Sequence, residues 1–235
     1  MLINYLYFNP TGNMTALVTS AVPFNMRKAA ADAIMQTESG CEQVGFLSFE
    51  DGVCLDMTGG EFCGNATMCA AIAAVLNAKK TNALSHMEKV SVKICNSIYE
   101  IDVKQISAKD FLCSLYSADV PEGITHRVVE AKAEKSTAEY EIRSLAGEDA
   151  KGLMFLEGSV LTPLVYVPKA DTLFWENSCA SGCMATGKYL YEKYGQPVDT
   201  DLQMPGGSIN VKCDENGIVL REKIRLVSET SLHIE

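Results

Sequence analysis

The chain has 235 residues, of which 47% are hydrophobic, so it is long enough to bury a core of its own. Its formal net charge of −10 argues against nucleic acid or an anionic membrane as the main partner, because both require a basic surface. No signal peptide and no membrane-spanning apolar run can be recognised, so we expect a cytoplasmic protein.

The first half of the sequence predicts alternating strands and helices. Short apolar runs bounded by turn residues predict strands, and alanine-rich stretches without helix breakers predict helices. Two helices are expected, one over Met26–Gln36 and one from about Asn65 to Leu76. The predicted strands are Asn4–Phe8, Thr15–Val18, Val44–Phe49, Val53–Met57, Val90–Cys95 and Tyr99–Val103.

The second half repeats this pattern loosely. A helix of about Gly182–Tyr194 is expected to end at Gly195, a residue type favoured just after a helix, with Pro197 close behind. Glu139–Arg143 is ambiguous and lies in a charged stretch that predicts solvated surface. The predicted strands are Phe111–Tyr116, Arg127–Ala131, Leu153–Leu156, Leu161–Val167, Ser208–Lys212, Ile218–Arg221 and Ile224–Ser228.

Two of the predicted helices carry few polar residues. Thr67–Leu76 is apolar on nearly every face, and Met184–Leu190 approaches this. A helix that is hydrophobic all round is normally buried. We therefore predict an α+β fold with two domains, residues 1–112 and 113–235, each a strand-rich wrapper around one central apolar helix. The last strand is free to return to the N-terminal half.

Nine cysteines are many for a chain of this length. Their odd number and the missing signal peptide argue against a disulfide framework, so most should be reduced and buried. The pairs Cys63/Cys69 and Cys179/Cys183 lack the spacing of a structural zinc site. The three histidines stand in no metal-binding pattern: His86, His126 and His233. We expect no metal site.

Two short segments share one arrangement, Gly60–Ala66 and Trp175–Gly182. Each places a cysteine, Cys63 or Cys179, between an acidic residue and small residues at the start of a predicted helix. The positive end of the helix field favours the thiolate. The pair therefore predicts one base and one acid that act on opposite faces of one substrate carbon. The alternative is two buried thiols beside ordinary helix starts.

Small residues follow each of these cysteines. Gly64 after Cys63, and Ala180 and Ser181 after Cys179, leave the first-turn backbone N–H groups accessible. Such N–H groups suit a carboxylate, so these residues are candidates for substrate binding. Asn65 is expected either to cap its helix or to bind the substrate.

Three acidic residues are candidates for contact with a cationic part of the substrate. Glu61 and Glu176 each precede a cysteine, where they either cap backbone N–H groups or bind an ammonium group. Glu42 lies beside an apolar strand and is either a ligand for the substrate or an exposed strand-end charge. A carboxylate next to a thiol raises the pKa of that thiol and so opposes the helix field.

Four stretches spread over nearly the whole chain resemble the cofactor-independent amino-acid racemases and epimerases typified by diaminopimelate epimerase. They are Gly12-Asn13-Met14, Cys63-Gly64-Asn65 with Cys69, Ser178-Cys179-Ala180-Ser181-Gly182 and Pro205-Gly206-Gly207. The resemblance implies two pseudo-symmetric, barrel-like domains. It also implies Cys63 and Cys179 as the catalytic pair, Asn13 as a substrate-binding residue and no cofactor.

One departure bears on the substrate. Diaminopimelate epimerases carry a Glu-Arg pair shortly before the second cysteine, whereas this chain has Ala170 and Asp171 there. The segments around Glu42, Cys63 and Trp175–Cys179 look more like the histidine racemases of opine-metallophore pathways. This resemblance implies a histidine racemase with Glu42, Glu176 and Asn177 as candidate pocket residues. Glu42 or Glu176 is expected to bind the imidazole or the ammonium of the substrate.

Several alternatives stay open at this point. Within the class, the alternatives to a histidine racemase are a diaminopimelate epimerase and a racemase of another amino acid. Outside it, the chain is a non-catalytic protein that binds a small molecule on the same fold, or a redox protein that uses Cys179 and Cys183. We expect a small-molecule amino-acid substrate, and a homodimer is left open.

Overall fold

The structure is a computed structural model that describes residues 1–79, 87–145 and 147–234. His86 lies outside the described residues. The helices are α1 (Arg27–Thr37), α2 (Gly64–Lys79), α3 (Lys135–Ser144) and α4 (Ala180–Tyr194). The strands are β1 (Leu2–Pro10), β2 (Thr15–Val18), β3 (Gln43–Ser48), β4 (Val53–Met57), β5 (Glu88–Ile94), β6 (Ser97–Gln105), β7 (Asp110–Ser117), β8 (Ile124–Val129), β9 (Ala150–Glu157), β10 (Val160–Val167), β11 (Thr172–Trp175), β12 (Val198–Met204), β13 (Gly207–Asp214) and β14 (Gly217–His233).

Eight strands close into a ring. They pair in the order β1, β2, β3, β4, β5, β6, β7 and β14, and β14 returns to pair with β1. Helix α2 contacts β1, β2, β4, β5, β6 and β7, and its residues from Ala66 to Ala73 are buried. The apolar side chains of α2 are therefore buried against strands of the ring.

The remaining strands extend from the ring. β13, β12, β10, β9 and β8 continue outward from β14, and β11 pairs with β10. Helix α4 contacts β8, β9, β12, β13, β14 and α2. Only its first half, from Ala180 to Gly187, is buried. It ends at Gly195, whose φ of 63° is left-handed, as the sequence predicts.

Each helix lies in a crossover between parallel strands. The pairs β2–β3, β4–β5, β8–β9 and β10–β12 are parallel, and their connections contain α1, α2, α3 and α4 respectively. Parallel neighbours need such a crossover, whereas antiparallel neighbours are joined by short turns. The fold is therefore mixed α+β, and its four α-helices lie in the connections between parallel strands.

The structure differs from the sequence prediction in four elements. The ambiguous segment Glu139–Arg143 belongs to helix α3, which buries Ala138 and Ile142. The two predicted final strands form one strand, β14, because Glu222 and Lys223 continue its alternation of buried and exposed residues. Strands β11 and β12 were not predicted.

Within the described parts of the chain, no helix has the length and apolar character needed to cross a membrane.

All nine cysteines are free thiols. Seven are buried and two, Cys54 and Cys95, are partly exposed. Cys69 and Cys183 have no exposed surface, as expected for core residues. Cys95 lies in the turn after β5, with a φ of 49°, and not in a strand as predicted.

Candidate active site

The starts of helices α2 and α4 meet. A methyl group placed on Gly64 would lie 2.9 Å from Cβ of Ala180, so glycine is required for this close approach. The Asn65 side chain joins the two starts, because its Oδ1 accepts from the Ala180 N–H at 2.8 Å and its Nδ2 donates to Ser178 Oγ at 3.2 Å. Asn65 therefore binds the other helix, a role that the sequence did not indicate.

This contact brings the two predicted catalytic cysteines to one cavity. Cys63 directly precedes α2 and Cys179 directly precedes α4. Both line the same cavity, with exposed fractions of 8% and 4%. Residues from α1 and β10 form other parts of the cavity wall, among them Asp32 and Val167.

The Cys63 thiol has two close hydrogen-bond partners. It donates to Gln43 Oε1 at 2.9 Å, and the backbone N–H of Ala66 donates to its sulfur at 3.3 Å. The first bond uses the thiol proton and so favours the neutral thiol. The second is a helix first-turn N–H and favours the thiolate.

The Cys179 thiol has different partners. Its sulfur lies 3.5 Å from Ser181 Oγ and 3.9 Å from His126 Nε2. The backbone N–H of Gly182 lowers the pKa of this thiol, as the N–H of Ala66 does for Cys63. The residue three positions after each cysteine thus plays the same part in both halves.

Burial outweighs the helix field at both thiols. It raises the pKa of Cys63 and of Cys179 well above the ordinary value, and nearby carboxylates, Glu176 foremost, raise both further. The first-turn N–H groups of Ala66 and Gly182 favour the thiolate as expected, but burial and the carboxylates outweigh them. A thiolate formed here is a stronger base than an exposed one.

Glu176 and Glu61 also line this cavity. Burial raises the pKa of Glu176 to about 8 and raises the pKa of Glu61. Glu61 Oε2 is buried and has no hydrogen-bond partner among the described residues. Glu176 is the carboxyl that acts on both thiols.

Glu42 is held by two predicted site residues. Asn13 Nδ2 donates to Glu42 Oε2 at 2.7 Å, and Asn177 Nδ2 donates to Glu42 Oε1 at 2.6 Å. Asn13 also accepts a hydrogen bond from Gln43. Glu42 lines the cavity, but both of its oxygens already accept from the protein. Burial raises the pKa of Glu42, and the two amide donors oppose that rise.

Two residues of the site were missed in the sequence. Gln43 is the partner of Cys63, and its position directly after Glu42 was the available signal. His126 lies beside Cys179, and a single histidine in a strand gives no local signal. Among residues 1–79, 87–145 and 147–234, no group of three or more His, Cys, Asp and Glu side chains is placed to hold a metal ion.

Comparison with known proteins defines the class of this chain. A hydroxyproline epimerase from Agrobacterium vitis, solved with bound trans-4-hydroxy-L-proline, has a similar fold, with a TM-score of 0.68 at 8% identity. The match covers 98% of this chain and 92% of that one. This likeness shows the fold alone; the racemase relatives matched over nearly the whole chain make it an isomerase of the cofactor-independent racemase and epimerase class.

Sequence comparison gives the family within this class. The chain is 28% identical to a histidine racemase of Fusobacterium nucleatum subsp. nucleatum over 99% of its length and 97% of the relative's. It is 29% identical to a histidine racemase of Staphylococcus aureus, over 92% and 91% of the two lengths. The family model described as "Histidine racemase CntK N-terminal domain" matches residues 2–143 and 118–232. The chain belongs to that family.

Proposed function

We propose that this protein interconverts L- and D-histidine with two cysteines and no cofactor. The observation that carries the proposal is that Cys63 and Cys179, from two helix starts, line one cavity. The relatives that are named histidine racemases match nearly the whole chain, which supports histidine as the substrate.

The α-carboxylate binds at the meeting point of α2 and α4. First-turn N–H groups suit an anion, and the N–H groups of Gly64, Asn65 and Ser181 lie beside the two cysteines. The N–H of Ala180 already donates to Asn65, so it is not available to the carboxylate. Ala180 contributes only a small side chain that leaves room for the substrate. These N–H groups also stabilise the extra charge that develops on the carboxylate when the α-proton leaves.

The α-ammonium binds beside Glu176. This carboxyl acts on both thiols, so a cation next to it lies close to the reacting carbon. The ammonium also offsets the effect of Glu176 on the thiols and so favours thiolate formation. Asn13 and Asn177 act through Glu42, whose oxygens they hold.

The two cysteines exchange roles in each turnover. Cys179 as thiolate takes the α-proton and becomes a thiol. The Cys63 thiol gives its proton to the opposite face of Cα and becomes a thiolate. The reverse reaction starts from the exchanged pair. Exclusion of water from the cavity strengthens each of these interactions.

Glu61 binds the imidazole ring. Of the three cavity glutamates, Glu42 has both oxygens bonded and Glu176 faces the thiols, which leaves Glu61. Its Oε2 lies beside Gly59 and near Val167, because a Cβ on Gly59 would meet Glu61 Oε2 at 2.6 Å and Val167 Cγ1 at 2.3 Å. A ring that packs in this region donates its N–H to Glu61.

The two halves are proposed to be pseudo-symmetric domains, residues 1–112 and 113–235, each around its own helix. The order strand, helix, strand, strand, helix, strand over β2–β5 and again over β8–β12 supports this, with β11 as an addition in the second half. β14 pairs with β1, β7 and β13, so the last strand joins the halves. A homodimer and a cytoplasmic location stay predictions.

The test is paired kinetics on L-histidine, D-histidine and the diaminopimelate isomers, followed by chiral chromatography. We expect kcat/KM for histidine to exceed that for diaminopimelate. The opposite order would overturn the substrate and leave the two-thiol mechanism standing. Absence of racemisation with any amino acid would favour a binding protein.

A pair of variants tests the imidazole site. Glu61→Gln is expected to raise KM for L-histidine about tenfold or more and leave kcat within about threefold, because it weakens a hydrogen bond to a charged group. Asp32→Asn is the matched control, since Asp32 lines the same cavity but bonds to Lys28. Equal effects of the two changes, or an unchanged KM in Glu61→Gln, would contradict this assignment.

A further inference from the structure

His126 is a half-buried residue of β8, a third element, and its ring touches the site. Its Nε2 lies 3.3 Å from Ser181 Oγ and 3.9 Å from Cys179 Sγ. Ser181 Oγ lies 3.5 Å from the same sulfur. The ring is therefore nearer to the serine hydroxyl than to the thiol, and the serine links the two.

The space for this ring is provided by Gly152 on the neighbouring strand β9. His126 and Gly152 are paired in the parallel register of β8 and β9. A Cβ on Gly152 would lie 2.5 Å from His126 Cδ2 and 3.0 Å from Nε2. Glycine at this point is therefore required for the ring to sit over β9 and reach the start of α4.

The surroundings of His126 determine which nitrogen carries its proton. Nδ1 is buried and has no hydrogen-bond partner among the described residues. Buried N–H groups without an acceptor are rarer than buried acceptors without a donor, so the proton belongs on Nε2. Burial lowers the pKa of His126 to about 4, so the ring is neutral near pH 7.

This tautomer sets the direction of the serine proton. Nε2–H donates to Ser181 Oγ, and the serine's own proton then points to the Cys179 sulfur. Cys63 is different, because its thiol donates to Gln43 Oε1 at 2.9 Å. The Gln43 contact therefore favours the thiol at Cys63, whereas the Ser181 contact favours the thiolate at Cys179 against the opposing effect of Glu176.

We propose that His126 is a positioning residue for Cys179: it orients the Ser181 hydroxyl so that this hydroxyl donates to the Cys179 thiolate. Its role in turnover rests on the proposed racemase function, whereas its effect on the Cys179 thiol does not. Glu176 also faces this thiol and opposes the thiolate.

The experiment measures alkylation of each cysteine by iodoacetamide from pH 7 to 10, with peptide mass spectrometry to separate Cys63 from Cys179. His126→Leu removes both ring nitrogens at similar volume. We expect the Cys179 rate at pH 8 to fall about tenfold, the effect of one hydrogen bond to a charged group. The Cys63 rate is expected to stay within about twofold.

Two further variants separate a hydrogen-bonding role from a structural one. His126→Gln carries an N–H near the position of Nε2 and is expected to restore most of the Cys179 rate. Ser181→Ala is expected to lower that rate as His126→Leu does, and the double variant is expected to be no slower than either single one. Additive losses would mean that His126 does not act through Ser181.

The outcomes distinguish this proposal from the racemase function. A lowered Cys179 rate in a protein that racemises no amino acid would uphold the positioning role and overturn the proposed function. Racemisation of histidine by the parent protein, together with an unchanged Cys179 alkylation rate in His126→Leu, would uphold the proposed function and overturn the positioning role. A parallel change at Cys63 and Cys179 in His126→Leu would show a general loosening and overturn the proposal, as would failure of His126→Gln to restore the rate.

Discussion

Replacement of Glu222 by glutamine is expected to stabilise the protein in a pH-dependent way. Glu222 lies on β14 with 1% of its surface exposed, and neither carboxyl oxygen has a hydrogen-bond partner among the described residues. Its neighbours include the buried thiols of Cys69 and Cys183, from α2 and α4. Burial raises the pKa of Glu222 from 4.5 to about 8, against a smaller opposing effect of the Thr11 side chain.

The raised pKa fixes the sign of the effect. Below pH 4.5 the carboxyl is protonated in the folded and the unfolded chain, so it does not affect their balance. Between 4.5 and 8 the unfolded chain releases this proton and the folded chain keeps it, so the stability falls as pH rises. Each pH unit in this window costs about 1.4 kcal/mol, which gives about 3 kcal/mol at pH 7.

Glu222→Gln keeps the shape of the protonated side chain and cannot ionise. The assay is urea unfolding, followed by circular dichroism at pH 5, 6, 7 and 8. The variant is expected to exceed the parent in unfolding free energy by less than about 1 kcal/mol at pH 5 and by about 3 kcal/mol at pH 7. Glu229→Gln, at an exposed position of the same strand, is the matched control and should follow the parent. A gap that does not grow with pH would refute the reasoning.

The remaining predictions concern the cavity that Cys63 and Cys179 line. Cys63→Ser and Cys179→Ser are each expected to lower kcat at least about 100-fold with an unchanged circular dichroism spectrum, because serine is a far weaker acid; near-parental racemisation would mean that the cysteine is structural. Gly64→Ala is expected to force α2 and α4 apart, lower kcat/KM about tenfold and reduce stability by about 1–3 kcal/mol; parental values of both would show that the close approach is not needed. Dialysis against a chelator is expected to leave activity unchanged, and activity restored only by added zinc would contradict this.

The sequence was most informative where local signals suffice. The duplicated cysteine segments, the two apolar helices and the stop at Gly195 depend on residues close together in the chain, and the structure has a helix starting just after each of Cys63 and Cys179. The positive φ of Gly195 is likewise a local property of the residue type.

The features that the sequence did not predict depend on contacts between residues far apart in the chain. His126 matters because β8 pairs with β9 and brings the ring against the start of α4, a contact across more than 50 residues. The sequence predicts a break between two strands at Glu222, whereas its register on β14 turns its side chain into the core. Asn65 bonds to Ala180 across the two halves, so its part in joining the helices could not be deduced from its own helix.

The measurement that tests the two-thiol mechanism most directly is racemisation of L-histidine in heavy water, sampled at low conversion. Two bases on opposite faces of Cα predict that the D-histidine formed carries deuterium at Cα while the recovered L-histidine keeps its protium. The same experiment with Cys63→Ser or Cys179→Ser is expected to yield no D-histidine. Protium retained in the product, or equal deuterium in both enantiomers from the first turnover, would contradict the mechanism.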